Sequence, residues 1–214
     1  MSATLARPLQ PGDLAPDVTV PAVTREGLIS LAEYRGHAPL LVALFRGLYC
    51  AFCRRHVASL ALAGEKLRGL GIETVGIIAT PADRARLYFR YQPQRCLIGA
   101  DPDLTSHRAF GVPRSEVTEE IMQVVVARND ELARQIGLDV SPGGGMEALD
   151  RADGIDTAEH WKDLQRHQAQ LTAQFLIDRH GVIQWANVEC AREGLAGLER
   201  FPTREEFLAA AQRL

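Results

Sequence analysis

The sequence predicts an α/β fold in which a mixed central sheet is flanked by helices, and two observations support this prediction. First, apolar runs of strand length alternate with segments of helical spacing, in the order strand, helix, strand, helix, strand. Second, two further strands joined by a short turn, and then a helix, close the chain. Because parallel strands need crossover helices, the first three strands are predicted to be parallel, with right-handed crossovers.

The N-terminal half supplies the first elements. Residues 1–38 are predicted to form an extension with a small hairpin, because two short β-prone pieces lie in a region rich in proline and glycine. Leu40–Phe45 is a continuous apolar run, typical of a strand buried on both faces. Residues 51–68 then place apolar side chains at helical spacing.

Two more strand–helix pairs follow. Glu73–Ala79 is a second buried strand, and Pro81 is suited to open a helix that runs to about Tyr91. Cys96–Gly99 is predicted as a short third strand and Leu104–Phe110 as a short helix.

Residues 113–170 change in character and are predicted to form a helical insertion within a single domain of residues 1–214. Thr118–Gln135 and Thr157–Leu171 have helical spacing, and Pro142–Gly145 between them predicts a flexible break. On the first of these helices, apolar residues around Val124 predict core packing or a subunit contact, which leaves a homodimer open.

The last hairpin is predicted from Ala173–Asp178 and Val182–Val188, with a turn at residues 179–181. A helix from about Thr203 closes the chain. The complete order of elements is that of a thioredoxin-like sandwich with a helical insertion before its final hairpin.

The composition of the chain argues against several classes of function. The 214 residues carry a formal net charge of −3, which gives no electrostatic case for binding nucleic acid or an anionic membrane. The N-terminal residues lack the apolar segment of a secretory signal, and the longest apolar run is too short to span a bilayer. Four cysteines in such a chain favour a reducing compartment, so we expect a cytoplasmic protein whose close cysteine pair is catalytic or metal-binding.

Cys50 and Cys53 form a Cys-x-x-Cys motif where a predicted buried strand meets a helix. A helix N-terminus presents free N–H groups and a partial positive charge, which stabilise the reactive thiolate. We therefore expect Cys50 at the exposed helix start to be the attacking sulfur, and Cys53, one turn later, to resolve the product as a disulfide. Arg46 and Arg54 would add positive charge if their side chains point towards the sulfur.

Two other interpretations of the pair stay open. A Cys-x-x-Cys motif is half of a zinc site and His56 is nearby, but a structural zinc site needs a second pair, and Cys96 and Cys190 are isolated. Alternatively, both cysteines pack as small apolar residues. The strand–motif–helix context favours redox chemistry, and neither a metal nor another cofactor is predicted.

The remaining candidate residues are interpreted as packing residues. Cys96 begins an apolar strand and is predicted to lie in the core. Cys190 ends a strand among charged residues, and a role as a second resolving thiol is left open. Trp161 and Trp185 are predicted to be packing residues.

Several stretches of the chain resemble, in order, the peroxiredoxin and peroxiredoxin-like families of the alkyl hydroperoxide reductase and thiol-specific antioxidant superfamily. The stretches that match are Pro11–Asp17, Ser30–Gly36, Leu44–Cys53, Asp101–Asp103, Phe110–Val112 and Phe175–Ile183. The resemblance implies that the Cys50 thiolate attacks the O–O bond of hydrogen peroxide or an organic hydroperoxide and becomes a sulfenic acid. It further implies that Cys53 condenses with this acid and that a thioredoxin- or glutaredoxin-like reductant resets the pair.

The chain also departs from this family at three positions. The usual Thr or Ser three residues before the attacking cysteine is Gly47, and the usual Pro four residues before that is Ala43. The arginine expected before the last hairpin is Thr172. The form Phe-Arg-Gly-x-x-Cys-x-x-Cys resembles that of a divergent peroxiredoxin-like branch. In this chain, Arg46 is expected to replace part of the positive charge that is missing at Thr172.

Two alternative functions remain. One is thioredoxin-like disulfide exchange with a protein, although the cis-proline that such reductases place near the position of Ala173 is absent from the sequence. The other is a redox-sensing module in which the inserted helices bind a partner and the disulfide acts as a switch.

Overall fold

The computed structural model describes residues 7–155, 157–167 and 170–214. The strands are β1 (Thr19–Pro21), β2 (Leu28–Ser30), β3 (Leu40–Phe45), β4 (Glu73–Ile78), β5 (Leu97–Ala100), β6 (Ala173–Ile177) and β7 (Ile183–Val188). The α-helices are α1 (Ala51–Arg68), α2 (Ala82–Tyr91), α3 (Thr105–Ala109), α4 (Glu119–Gln135), α5 (Gly145–Asp153), α6 (Thr157–His167) and α7 (Arg204–Ala211). Short 3₁₀ helices occupy Leu31–Tyr34 and Gly194–Gly197.

The central sheet has five strands in the order β5-β4-β3-β6-β7. Strands β3, β4 and β5 are parallel, whereas β6 pairs antiparallel with β3 and β7 antiparallel with β6. This mixed sheet with flanking helices confirms the predicted α/β fold. The predicted N-terminal hairpin is also confirmed, since β1 and β2 form a separate antiparallel pair.

Strand β3 occupies the centre of the sheet, and all six of its residues are buried. Since successive side chains of a strand point to opposite faces, Leu41 and Phe45 join the core beneath α1 and α7. Val42 and Leu44 join the second core, which contains the N-terminal hairpin and is contacted by α4. The end of β3 is therefore held rigidly from both faces, and the residues that follow it start from a fixed position.

The segment between α3 and β6 differs from its prediction in two places. Gly145 is the first residue of α5, a helix that the sequence pattern did not indicate. The expected flexible break before it is an anchored turn, because the Asp130 carboxylate accepts hydrogen bonds from the N–H groups of Gly143 and Gly145 at 2.7 and 2.8 Å. Helix α6 was predicted to run to Leu171; it is described as far as His167, residues 168 and 169 lie outside the described residues, and Gln170 forms a β-bridge with Arg114.

Helix α5 packs against α4 and against the start of α1, where a small apolar cluster joins the three helices. The inserted helices therefore lie beside the cysteine motif. Among the described residues, no helix is both long enough and apolar enough to cross a membrane.

Candidate active site

The junction between β3 and α1 positions the cysteine pair. Cys50 is the N-cap residue of α1, with extended backbone angles, and its Sγ accepts a hydrogen bond from the backbone N–H of Cys53 at 3.2 Å. The sulfur thus takes the place of the side-chain oxygen that usually satisfies a free N–H group in the first helical turn. The motif therefore lies where the sequence predicted it, at the start of a helix that follows a buried strand.

The two thiols differ in acidity. Burial opposes ionisation of Cys50, but hydrogen bonding from Cys53 and the positive charge of Arg46 lower its pKa to about 5. Cys53 is fully buried, and this burial, together with the Cys50 sulfur beside it, raises the pKa of Cys53 well above its ordinary value. At neutral pH, Cys50 is therefore the thiolate and Cys53 the thiol.

Cys50 is not exposed at the helix start as the sequence predicted, because only 8% of the residue is accessible. Its sulfur lies instead at a cavity of about 450 Å³ whose surface is mainly apolar. Residues from α4 and the segment before it, from α5, from α6 and from the loop after β7 form much of the wall, and they include Val117, Ile121, Met122, Met146, Trp161 and Leu195. The inserted helices thus cover Cys50, which borders the cavity.

Trp161 corrects a second expectation. It was predicted to be a packing residue, but it lies at the cavity wall and 53% of the residue is exposed. Trp185, by contrast, is buried and packs edge-to-face against Phe207, as predicted.

Arg46 comes directly after β3 and is buried beside the motif. Its guanidinium donates to both carboxylate oxygens of Glu189 at 3.2 Å, to the carbonyl oxygen of Gln170 at 3.2 Å and to Glu199 Oε2. These contacts hold the positive charge of Arg46 next to Cys50, so its side chain points towards the sulfur.

Glu189 and Glu199 also belong to the site, although neither was predicted from the sequence. Glu189 follows β7 and also accepts hydrogen bonds from the backbone N–H groups of Thr172 and Glu199 at 2.8 and 2.7 Å. The Glu199 Oε2 atom lies 3.7 Å from Cys50 Sγ. Glu199 has a φ of +64° in an irregular loop, and no sequence pattern signals such a residue. For Glu189, the only indication in the sequence was that it lies among charged residues next to Cys190.

The two departures from the peroxiredoxin pattern nearest the site have structural counterparts. A Cβ atom at Gly47 would come within 2.7 Å of the Tyr49 ring and 2.9 Å of the Ala79 carbonyl oxygen, so a Thr or Ser does not fit there. At Thr172, the backbone N–H is bound by Glu189, the carboxylate that also binds Arg46. The guanidinium at this site therefore belongs to Arg46, directly after β3, and not to the position of Thr172, directly before β6.

Arg54 does not contribute to the charge at the sulfur as expected. Its side chain donates to the Leu48 carbonyl oxygen at 2.7 Å, to Asp150 at 2.9 Å and to Asp153 at 2.6 Å. Since both carboxylates belong to α5, Arg54 fixes the inserted helix against α1.

The zinc interpretation gains no support from the neighbours of the pair. His56 stacks on Phe201 with ring centroids 4.7 Å apart, and burial lowers its pKa to about 3. In the described part of the chain, no three His, Cys, Asp or Glu side chains converge as metal ligands would.

The other two cysteines lie in different environments. Cys96 is buried in the core, as predicted, and burial raises its pKa to about 12. Cys190 is partly buried and lines the same cavity as Cys50, with its pKa raised to about 11, chiefly by burial. At neutral pH, Cys50 is therefore much more ionised than Cys96, Cys190 or Cys53.

The sequence matches one protein-family model. The family model described as the AhpC/TSA family matches residues 11–186, a range that contains the cysteine motif and all five strands of the central sheet except the end of β7. A search of curated protein sequences gives no match.

Solved structures share the fold at low sequence identity. A reduced 2-Cys peroxiredoxin from Plasmodium vivax is 12% identical, with a TM-score of 0.59 and 95% of each chain covered. Peroxidoxin BcpB from Mycobacterium tuberculosis is 12% identical, with a TM-score of 0.57 and 96% of each chain covered. A secreted thiol-disulfide isomerase from Corynebacterium glutamicum is 14% identical, with a TM-score of 0.52, covering 92% of this chain and 82% of the other. These similarities establish a thioredoxin-like fold.

Proposed function

The chain belongs to the AhpC/TSA family and is a thiol oxidoreductase, and from that premise we propose that it reduces hydroperoxides through Cys50. The observation that carries the proposal is the position of Cys50, which lines the cavity and whose pKa is lowered to about 5. A thiolate in such a setting is the species that attacks peroxides. Arg46 beside it supplies the positive charge that favours the anion.

The proposed reaction has two chemical steps. The Cys50 thiolate attacks the terminal oxygen of the hydroperoxide, so that the O–O bond breaks, an alcohol or water leaves and Cys50 becomes a sulfenic acid. The Cys53 thiol then displaces water from this acid and forms the Cys50–Cys53 disulfide. The hydrogen bond between the two residues supports Cys53 as the resolving residue.

The cavity favours an organic hydroperoxide over hydrogen peroxide. Its surface is mainly apolar and its volume of about 450 Å³ exceeds what two oxygen atoms need. An apolar group bound there would be removed from water, a gain of about 25 cal/mol for each Å² buried. Hydrogen peroxide has no such group to bury.

We further propose that a thioredoxin- or glutaredoxin-like dithiol reduces the disulfide, as a reducing compartment such as the cytoplasm would allow. The alternative, disulfide exchange on a protein substrate, is less well supported. A protein disulfide would have to reach a cysteine residue that is only 8% exposed, and the described residues contain no cis peptide bond near β6.

The test is stopped-flow kinetics of the reduced protein with cumene hydroperoxide and with hydrogen peroxide. We expect rapid loss of thiols, at least about tenfold faster with cumene hydroperoxide, since burying part of the aromatic group is worth ~1.4 kcal/mol or more. Cys50→Ser is expected to abolish the reaction, whereas Cys96→Ala, which removes a core thiol outside the cavity, leaves it intact.

The proposal fails if both peroxides react no faster than free cysteine. Rapid reduction of insulin disulfides by the same preparation would then support disulfide exchange. Oxidation that changed only the binding of a partner protein would support the redox-sensing module.

A further inference from the structure

The Glu199 side chain is the one carboxyl group of the site that contacts the reactive sulfur. Its Oε2 atom lies 3.7 Å from Cys50 Sγ, within hydrogen-bonding range for sulfur, and its side chain is only 7% exposed. Glu199 also lines the cavity in which the substrate is proposed to bind. It therefore lies beside both the attacking atom and the space where the leaving group would form.

Glu189 is held differently, although it belongs to the same cluster. Its two oxygens accept four hydrogen bonds, two from Arg46 and two from backbone N–H groups. These bonds engage Glu189 in holding Arg46 and the loop that carries Glu199. Glu199 accepts one hydrogen bond from Arg46, at the same Oε2 atom that lies beside the sulfur.

The surroundings of this carboxyl oppose its ionisation. Three acids, Cys50, Glu189 and Glu199, surround a single cation, Arg46, and buried charges without a partner are costly. The titratable or charged groups that face Glu199 are Arg46, Tyr49, Cys50, Cys53, Glu189 and Cys190. Burial raises the pKa of Glu199 well above its ordinary value; the positive charge of Arg46 opposes this, and the negative charges of Cys50 and Glu189 add to it. The reduced site therefore holds a Cys50 thiolate beside a protonated Glu199.

We propose that Glu199 is a catalytic acid, which gives its proton to the oxygen that leaves when Cys50 attacks a hydroperoxide. This role rests on the proposed peroxidase function. In the step, the Cys50 sulfur bonds to the terminal OH group, the O–O bond breaks, and the departing alkoxide takes the proton of Glu199. The products are the Cys50 sulfenic acid, a neutral alcohol and an ionised Glu199, so the charge of the site is conserved.

The proton returns during reduction. Formation of the disulfide from the sulfenic acid and the Cys53 thiol releases water and leaves Glu199 ionised. When an external dithiol reduces the disulfide, it provides two electrons and two protons. One proton goes to Cys53 and the other to Glu199, which restores the Cys50 thiolate.

The experiment compares pH–rate profiles of the wild type and Glu199→Gln with cumene hydroperoxide under single-turnover conditions. In the wild type, the rate rises with ionisation of Cys50 and falls at higher pH as Glu199 loses its proton. Glutamine is neutral and donates a hydrogen bond, but it cannot transfer a proton. We therefore expect a loss of about 100-fold in the rate of the chemical step, the low end of general acid catalysis, and disappearance of the falling limb.

Two further variants separate catalysis from structure. Glu199→Asp keeps a carboxyl and is expected to recover part of the rate together with the falling limb. Glu193→Gln changes an exposed glutamate of the same loop and is expected to behave as the wild type. Infrared difference spectra of the reduced and disulfide forms give a second readout, because the carboxylic acid C=O band expected in the reduced wild type should be absent from Glu199→Gln.

The inference is overturned if Glu199→Gln keeps both the rate and the falling limb while the wild type reacts rapidly, and the proposed function then still stands. It is also overturned if the rate falls but both limbs remain, since this is the mark of a structural role. A wild type that does not react with any hydroperoxide overturns the proposed function, and the donor role falls with it.

Discussion

Arg46→Met is expected to destabilise the folded protein by about 3–5 kcal/mol, the cost of breaking a buried ion pair by removing one partner. Methionine retains much of the apolar volume of the arginine but leaves the Glu189 carboxylate buried without its cation, and it removes the hydrogen bond that Glu199 accepts from Arg46. It also removes a positive charge that lowers the pKa of Cys50. Urea-induced unfolding measures the first effect, and the pH dependence of Cys50 alkylation measures the second.

A surface arginine supplies the matched control. Arg95 is paired with Glu65, and its side chain is 85% exposed, so Arg95→Met is expected to cost no more than about 1 kcal/mol. Adding Glu189→Gln to Arg46→Met should recover part of the lost stability, because it removes one of the uncompensated charges. If Arg46→Met cost no more than the Arg95 variant, Arg46 would not hold the site together.

Cys53→Ser is expected to stop the reaction after its first step. Cys50 would still be oxidised, because the serine hydroxyl keeps a hydrogen-bond donor beside the sulfur and Arg46 keeps its charge. Without the resolving thiol, the sulfenic acid would accumulate and turnover with a dithiol would be almost completely lost. Trapping with dimedone, followed by mass spectrometry, should find the adduct on Cys50.

Cys190→Ser is the control for this variant, because Cys190 is the other thiol that lines the cavity. It should leave turnover and the Cys50–Cys53 disulfide unchanged. A disulfide between Cys50 and Cys190 in the oxidised wild type would instead make Cys190 the resolving residue. A disulfide between two chains would point to resolution within a dimer.

Much of the fold could be predicted from the sequence, since its signals are local. The apolar run Leu40–Phe45 and the helical spacing of residues 51–68 agree with β3 and α1 almost residue for residue. Helix α5 was missed because it opens with Gly145, a poor helix former, whose N–H donates a hydrogen bond to the Asp130 carboxylate, 15 residues earlier. Tertiary contacts of this kind leave no periodic trace in a sequence.

The candidate site could be predicted only in part, for the same reason. The cysteine pair and Arg46 are close together in sequence, so the motif and its strand–helix context indicated them. Glu189 and Glu199 come from beyond β7, and their approach to Arg46 depends on how the sheet is assembled. The cavity was not predictable either, because the inserted helices that cover Cys50 resemble ordinary surface helices in sequence.

Both the proposed peroxidase function and the proposed role of Glu199 require that Cys50 is a thiolate at neutral pH and can be reached from the cavity. The most direct test is to titrate the reduced protein and follow both thiolate absorbance and the rate of iodoacetamide alkylation, with Cys50→Ser as the blank. We expect a transition at about pH 5 that is absent from Cys50→Ser. A transition near the value of free cysteine, about pH 8.5, or a Cys50 that iodoacetamide does not alkylate at any pH, would contradict it.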